Sequence, residues 1–144
     1  MPHDSSDREK PYFDEELQTA YLATEYLCKD FVLKIGESHP DFDAFMLSGG
    51  HHAYAFLTAW NPRSDALPAA ENIARGQQLL LQLEERNLTF MPAVTRDPSG
   101  EWGVEEGVFI FNAPPESVLE LAAAWQQNAV VLGARGAVPR LVWA

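Results

Sequence analysis

Cysteine is almost absent from this chain: Cys28 stands alone among 144 residues. That excludes an intramolecular disulfide and points to a reducing compartment. Basic residues are also scarce, ten Lys and Arg against 21 Asp and Glu, for a formal net charge of −11. Such a balance works against phosphate-backbone binding, which needs cationic side chains to displace counterions, so nucleic acid is not expected as a partner. No uninterrupted apolar run approaches the roughly 20 residues of a membrane helix. The polar start Met1-Pro2-His3-Asp4-Ser5-Ser6-Asp7 has no signal-peptide core, so the cytoplasm is the expected location, with no membrane partner. Absent too are the phosphate-binding Gly-Lys-Ser/Thr loop, Gly-x-Gly-x-x-Gly, Gly-x-Ser-x-Gly and His-Glu-x-x-His. No cofactor is therefore expected. Adjacent His51 and His52 diverge at a strand start, and neither His3, His39 nor Cys28 stands at a familiar ligand spacing, so no metal site is expected either.

What is present suits one folded domain over residues 14–144, preceded by a flexible tail over 1–13. A short helix can open at Asp14-Glu15-Glu16-Leu17, with Asp14 as cap and carboxylates at the positive end of the dipole. Residues 19–28 fit two periods. Leu17, Tyr21, Thr24 and Cys28 are spaced for a helix, whereas Leu22, Thr24, Tyr26 and Cys28 alternate as in a strand. The aromatic and Thr content favours a strand from about Ala20, then a turn at Lys29-Asp30. Phe31-Val32-Leu33-Lys34-Ile35 reads as the next strand, closed by Gly36.

Pro40 opens a helix to about Ser48, stopped by Gly49-Gly50. Residues 53–58 are apolar on both faces, which predicts a central strand. Pro68 opens a helix to about Arg86, with Ile73, Leu79, Leu80 and Leu83 as its core stripe. The reverse-turn tetrad Asp97-Pro98-Ser99-Gly100 joins 89–95 to 103–111 as a β-hairpin. A last helix runs from Pro115 to about Gln126, burying Val118, Leu121, Ala122 and Trp125. Strands at 129–132 and 140–143 end the chain. The expected class is α+β: a single domain with a mixed β-sheet and helices mainly on one face. From Ala53 to Leu132 the order β-α-β-β-α-β matches a ferredoxin-like core, although strand order is not legible in sequence.

Chemistry concentrates in Thr58-Ala59-Trp60-Asn61-Pro62-Arg63-Ser64, between a buried strand and a helix start, where ligand sites of α/β sheets gather. Asn72 and Arg75 lie three apart on the following helix and share a face. With Trp60, Asn61, Arg63 and Ser64 they form the leading ligand-binding candidates, able to surround a carboxylate or phosphate. The plainer account is that Asn61 and Ser64 satisfy loop backbone and Arg75 pairs with a carboxylate. Trp102, Glu105 and Glu106 form a second cluster. Adjacent strand residues point to opposite faces, so only one of Glu105 and Glu106 can serve a site as general acid/base. Gln126, Gln127 and Asn128 offer amides that either cap helix carbonyls or read a polar ligand, with Gln127 the candidate carried forward.

Together, Tyr21-Leu22-Ala23-Thr24-Glu25-Tyr26, the 58–64 segment, Glu71-Asn72 with Arg75, Asp97-Pro98-Ser99-Gly100-Glu101-Trp102, Glu105-Glu106-Gly107 and Gln127-Asn128-Ala129 resemble the bacterial family known as domain of unknown function 3293. The likeness runs from about Tyr21 to Val142, and Thr-Ala-Trp-Asn-Pro is its most specific element. Leu67-Pro68 stands where the family pattern has a Ser or similar residue before the first long helix, so no side-chain N-cap is expected there. The resemblance implies a small, free-standing bacterial cytosolic protein and no particular reaction, cofactor or catalytic residue.

Three functional classes remain. The leading expectation is a non-catalytic binding domain for a small anionic or polar ligand, or a protein segment, near 58–64. A protein-interaction or assembly module comes next. The third is a hydrolase or transferase that uses Glu105 or Glu106 with Arg75.

Overall fold

Apolar side chains on both faces of Ala53–Leu57 require a strand covered on both sides, and the whole sheet is arranged around it. The computed structural model describes residues 15–100 and 103–144. In chain order the elements are α1 (Glu15–Ala23), β1 (Glu25–Cys28), β2 (Phe31–Leu33), α2 (Pro40–Ser48), β3 (Ala53–Leu57), a 3-10 turn (Pro62–Ser64) and α3 (Ala69–Glu85). β4 (Thr89–Arg96), β5 (Val104–Phe111), α4 (Pro115–Ala124), β6 (Ala129–Ala134) and β7 (Arg140–Trp143) complete the domain. The strands form one seven-stranded sheet in the order β2-β1-β4-β5-β3-β6-β7. The protein is an α+β domain, and the inner four strands, β4-β5-β3-β6, have the ferredoxin-like arrangement.

Every strand pairing is antiparallel, which corrects the expectation of a mixed sheet. The crossover through α3 does return β4 in the direction of β3. The β4–β5 hairpin then inserts β5 between them, so the two like-directed strands never touch.

The second correction concerns residues 20–28. The helix continues to Ala23, and the strand begins only at Glu25. Threonine content misled: Thr19 and Thr24 donate their hydroxyls to Glu15 O and Ala20 O, one helical turn back (2.9 and 2.7 Å), and so serve the helix. Strand alternation takes over at Tyr26 and Cys28, both buried. Expected strand bounds shrink elsewhere as well, with β2 ending at Leu33 rather than Ile35.

Two cores flank the sheet. On one face α3 and α4 pack an aliphatic core that includes Leu57, Leu79, Leu83, Val108, Ile110, Val118, Leu121 and Val130. The two long helices thus share a face, but the other face is far from bare. There α2 seals an aromatic core of Phe42, Met46, Tyr54, Phe56, Phe109 and Phe111, reached by α1 through Tyr26. Ile73, expected in the stripe of α3, is 44% exposed, while Asn72 beside it is buried. A buried amide in place of an aliphatic side chain signals a polar commitment on that helix.

Candidate functional site

The chain leaves the sheet after β3 through a hydroxyl-anchored turn. Thr58 Oγ1 donates to Glu106 O on β5 (2.5 Å) and accepts the Trp60 N–H (3.1 Å). Asn61, Arg63 and Ser64 then all adopt left-handed backbone, with φ of 47°, 53° and 63°. Three such residues within four positions are costly without glycine, and backbone strain of this kind collects at ligand sites. The surroundings hold the loop in place. Asn61 N donates to Asn72 Oδ1 (2.9 Å), Asn72 Nδ2 donates to Asn61 Oδ1 (2.7 Å), and Leu67 N donates to the same oxygen (3.0 Å). Arg63 N reaches Gln126 O at 2.6 Å. α3 begins without a side-chain cap at Pro68, as Leu67-Pro68 implies.

Beside this loop lies a cavity of about 310 Å³, at the lower end of the range for small-molecule sites. α1 roofs it with Leu17, Ala20 and Tyr21, and Thr24 follows at the helix end. The sheet supplies the floor through Tyr26, Phe56, Thr95 and Glu105, and Thr58, Asn61, Ser64 and Gln127 form a wall. Strand alternation explains the floor: Phe56 on β3, Thr95 on β4 and Glu105 on β5 are residues of one parity on one face, and Thr58 continues that parity just past the end of β3. Gly107 belongs to the same face, and a Cβ there would come within 2.7 Å of the Phe56 ring. Glycine thus lets Phe56 lie across the neighbouring strand.

Glu105 is the group with unusual electrostatics. Burial pushes its carboxyl above the ordinary range, and the Asn61 Nδ2 donor at 2.9 Å on Oε2 partly opposes this. Tyr21 is raised as well, chiefly by burial. A side-chain hydrogen bond with Ser64 pulls the other way, and the nearby Glu105 carboxylate adds to the rise.

Of the candidates, Trp60, Asn61, Ser64, Glu105 and Gln127 line this one cavity. Arg63 is not among the lining residues but is tied to the wall, donating through Nη1 to Gln127 O (3.2 Å) and Asn128 Oδ1 (3.4 Å). Asn72 braces Asn61 from α3. Arg75 does not join the site: its Nε donates to Ala59 O (2.6 Å) and its Nη2 to Trp125 O (2.8 Å), clasping the loop to the end of α4. Glu106 is exposed on the opposite face of the sheet. Trp102 lies outside the described residues, as do Asp14 and the 1–13 tail. Gln127 and Asn128 are buried and tie α4 to the loop, through Gln127 Nε2 to Trp60 O (3.0 Å) and Asn128 Nδ2 to Ser64 Oγ (3.0 Å). Among the described residues no group of three or more His, Cys, Asp or Glu side chains is gathered to hold a metal ion. No helix among them is long and apolar enough to cross a membrane.

Sequence reasoning missed Tyr21, Tyr26, Thr58 and Thr95 as cavity residues. One signal was available for the two threonines: each extends an apolar inward series by one polar step, Tyr54-x-Phe56-x-Thr58 and Met91-x-Ala93-x-Thr95. Tyr21 was legible only once residues 20–23 were read as helix.

Residues 57–130, just over half of the chain, match the family described as Protein of unknown function (DUF3293), and the chain belongs to it. The match spans the loop, Asn72, the hairpin with Glu105, and Gln127. No curated protein and no solved structure matches the chain.

Proposed function

We propose that this member of the DUF3293 family is a non-catalytic domain that binds a small polar ligand in the cavity beneath α1, beside residues 58–64. One observation carries the reading. Polar side chains from five separate places, Tyr21, Asn61, Thr95, Glu105 and Gln127, converge on a cavity where apolar packing stops. Among the described residues its lining contains neither His nor Cys, and Ser64 is engaged by Asn128 and Tyr21 rather than by a base, so these residues assemble no activated nucleophile. The size suits a metabolite better than a protein segment. With its net charge of −11, the reading also has the protein working in a bacterial cytoplasm, without nucleic acid.

Screening the full chain against a metabolite library by thermal shift, followed by heteronuclear NMR on the hits, tests this. Expected are hits whose shift changes gather on α1, residues 58–64 and the inward residues of β4 and β5. Hits that map instead to the opposite face, or a library that leaves both melting point and spectra unmoved, would overturn it.

The raised carboxyl of Glu105 inside a cavity favours one second reading, a general acid/base in a hydrolase or transferase. In that case the anion holder cannot be Arg75 as now placed, since its guanidinium is engaged with two backbone carbonyls. Turnover of a bound hit, abolished in Glu105→Gln, distinguishes the enzyme from the binder.

A further inference from the structure

The lining of the cavity is one-sided in charge. Among the described residues its ionisable side chains are the carboxyls of Asp97 and Glu105 and the phenols of Tyr21 and Tyr26, with no Lys, Arg or His. Arg63, the cation felt at Tyr21, is not itself a lining residue and directs Nη1 to Gln127 O and Asn128 Oδ1.

The orientation of the Asn61 amide is fixed by chemistry rather than by choice. Leu67 N–H can only donate, so the Asn61 atom it meets at 3.0 Å must be the oxygen. The NH2 end must then face Glu105, where it meets Oε2 at 2.9 Å. Asn61 therefore aims the carboxylate while leaving its charge uncompensated. An ionised Glu is an acceptor only, and a single neutral amide does not balance it in a half-buried setting. Asp97 adds negative potential at the mouth, its own carboxylate held by Ser99 N (3.1 Å) and Ser99 Oγ (2.7 Å). Among the described lining residues, an anionic occupant would meet two carboxylates and no Lys, Arg or His side chain. A cationic one would neutralise Glu105 and find the aromatic surfaces of Tyr21, Tyr26 and Phe56 beside it.

We infer that the ligand of this cavity carries a protonated amine, seated on the Glu105 carboxylate with its apolar body against Tyr21, Tyr26 and Phe56. The inference rests on the binding-pocket reading above and names the class of ligand for it.

Three small phenols of nearly one shape but different charge make the test: tyramine (cationic), tyrosol (neutral) and para-hydroxyphenylacetate (anionic). Each is titrated at millimolar concentration, near neutral pH, into the isotope-labelled full chain and followed by NMR. The expected order is tyramine tightest and para-hydroxyphenylacetate weakest, with shifts centred on α1, residues 58–64 and Glu105. Glu105→Gln keeps an amide oxygen for Asn61 and should weaken tyramine at least about tenfold while leaving tyrosol within about twofold. Glu106→Gln, one residue along and on the opposite face, should change neither. The inference is overturned if the anion binds as tightly as tyramine, or if Glu105→Gln leaves the tyramine-to-tyrosol ratio unchanged. Equal shifts from all three compounds would remove the cation preference and keep the pocket. No shift from any of them at the cavity would remove the pocket reading itself.

Discussion

The two ends of one sheet face are built from the same strands and end in opposite ways. At the α2 end the inward residues are Tyr54, Phe109 and Phe111, and Phe42 drives between them, with ring centroids 5.3 Å from Tyr54 and 5.6 Å from Phe109. At the α1 end the inward positions become Thr58 just past β3, Glu105 on β5, Thr95 on β4 and Ala129 on β6, and a cavity remains. α2 buries Phe42 and Met46, whereas α1 buries no residue completely. The chain evidently has aromatics with which to fill such a space, since it fills the other end. The hollow thus combines an apolar lining with polar, hydrogen-bonded side chains such as Asn61, Thr58 and Gln127, unlike a packing void, which would be wholly apolar and costly.

The sharpest way to break this contrast is Phe42→Ala. Removing a fully buried ring that touches Phe31, Tyr54 and Phe109 should cost about 3–5 kcal/mol, read by denaturant unfolding. Loss under about 1 kcal/mol would mean that the α2 end is no better packed than the α1 end. Asn61→Ala should come next, at about 2 kcal/mol, because it strands Leu67 N, takes the shorter of two acceptors from Asn72 Nδ2 and puts alanine at a φ of 47°. The same measurement checks it, and a neutral outcome would show that the loop is not held by this amide. Tyr21→Phe removes only the hydroxyl bonded to Ser64 and should cost about 1 kcal/mol or less.

Glu105→Gln is expected to have the smallest effect on stability, and one of opposite sign. Burial raises the folded carboxyl above its unfolded value. Protonated in both states under acid, the group costs nothing there. As pH rises from the ordinary carboxylate range to the raised folded value, the unfolded chain releases its proton first, and stability falls. The variant should therefore match wild type in acid and melt slightly higher at neutral pH, as followed by thermal melts across pH. A wild type that gained stability relative to the variant on raising the pH through this window would refute the assigned direction. Ligand binding should run the other way, since an ammonium requires the ionised carboxylate. A site that lowers stability while serving binding is a familiar trade.

Much of this architecture was legible because burial writes a period into sequence. The two-sided apolar run at 53–57 announced the central strand, and Asp97-Pro98-Ser99-Gly100 announced the hairpin whose register runs from Thr89 opposite Phe111 to Arg96 opposite Val104. The divergence of Glu105 and Glu106 followed from the pleat alone. What stayed hidden was non-local. Thr24 reads equally well as strand or helix until its hydroxyl finds Ala20 O, and Arg75 reads as an anion holder until Ala59 O and Trp125 O claim it.

By itself, then, the sequence determined which residues alternate, where the chain turns, and that 58–64 would be a polar junction after a buried strand, because these properties depend on near neighbours. Only the tertiary structure decided that β5 lies between β3 and β4, that α1 roofs one end of the sheet, and that Tyr21, Asn61, Thr95 and Glu105 meet. Those contacts join positions up to 84 residues apart. They arise from the order in which strands pair and helices cover them, which no local period records.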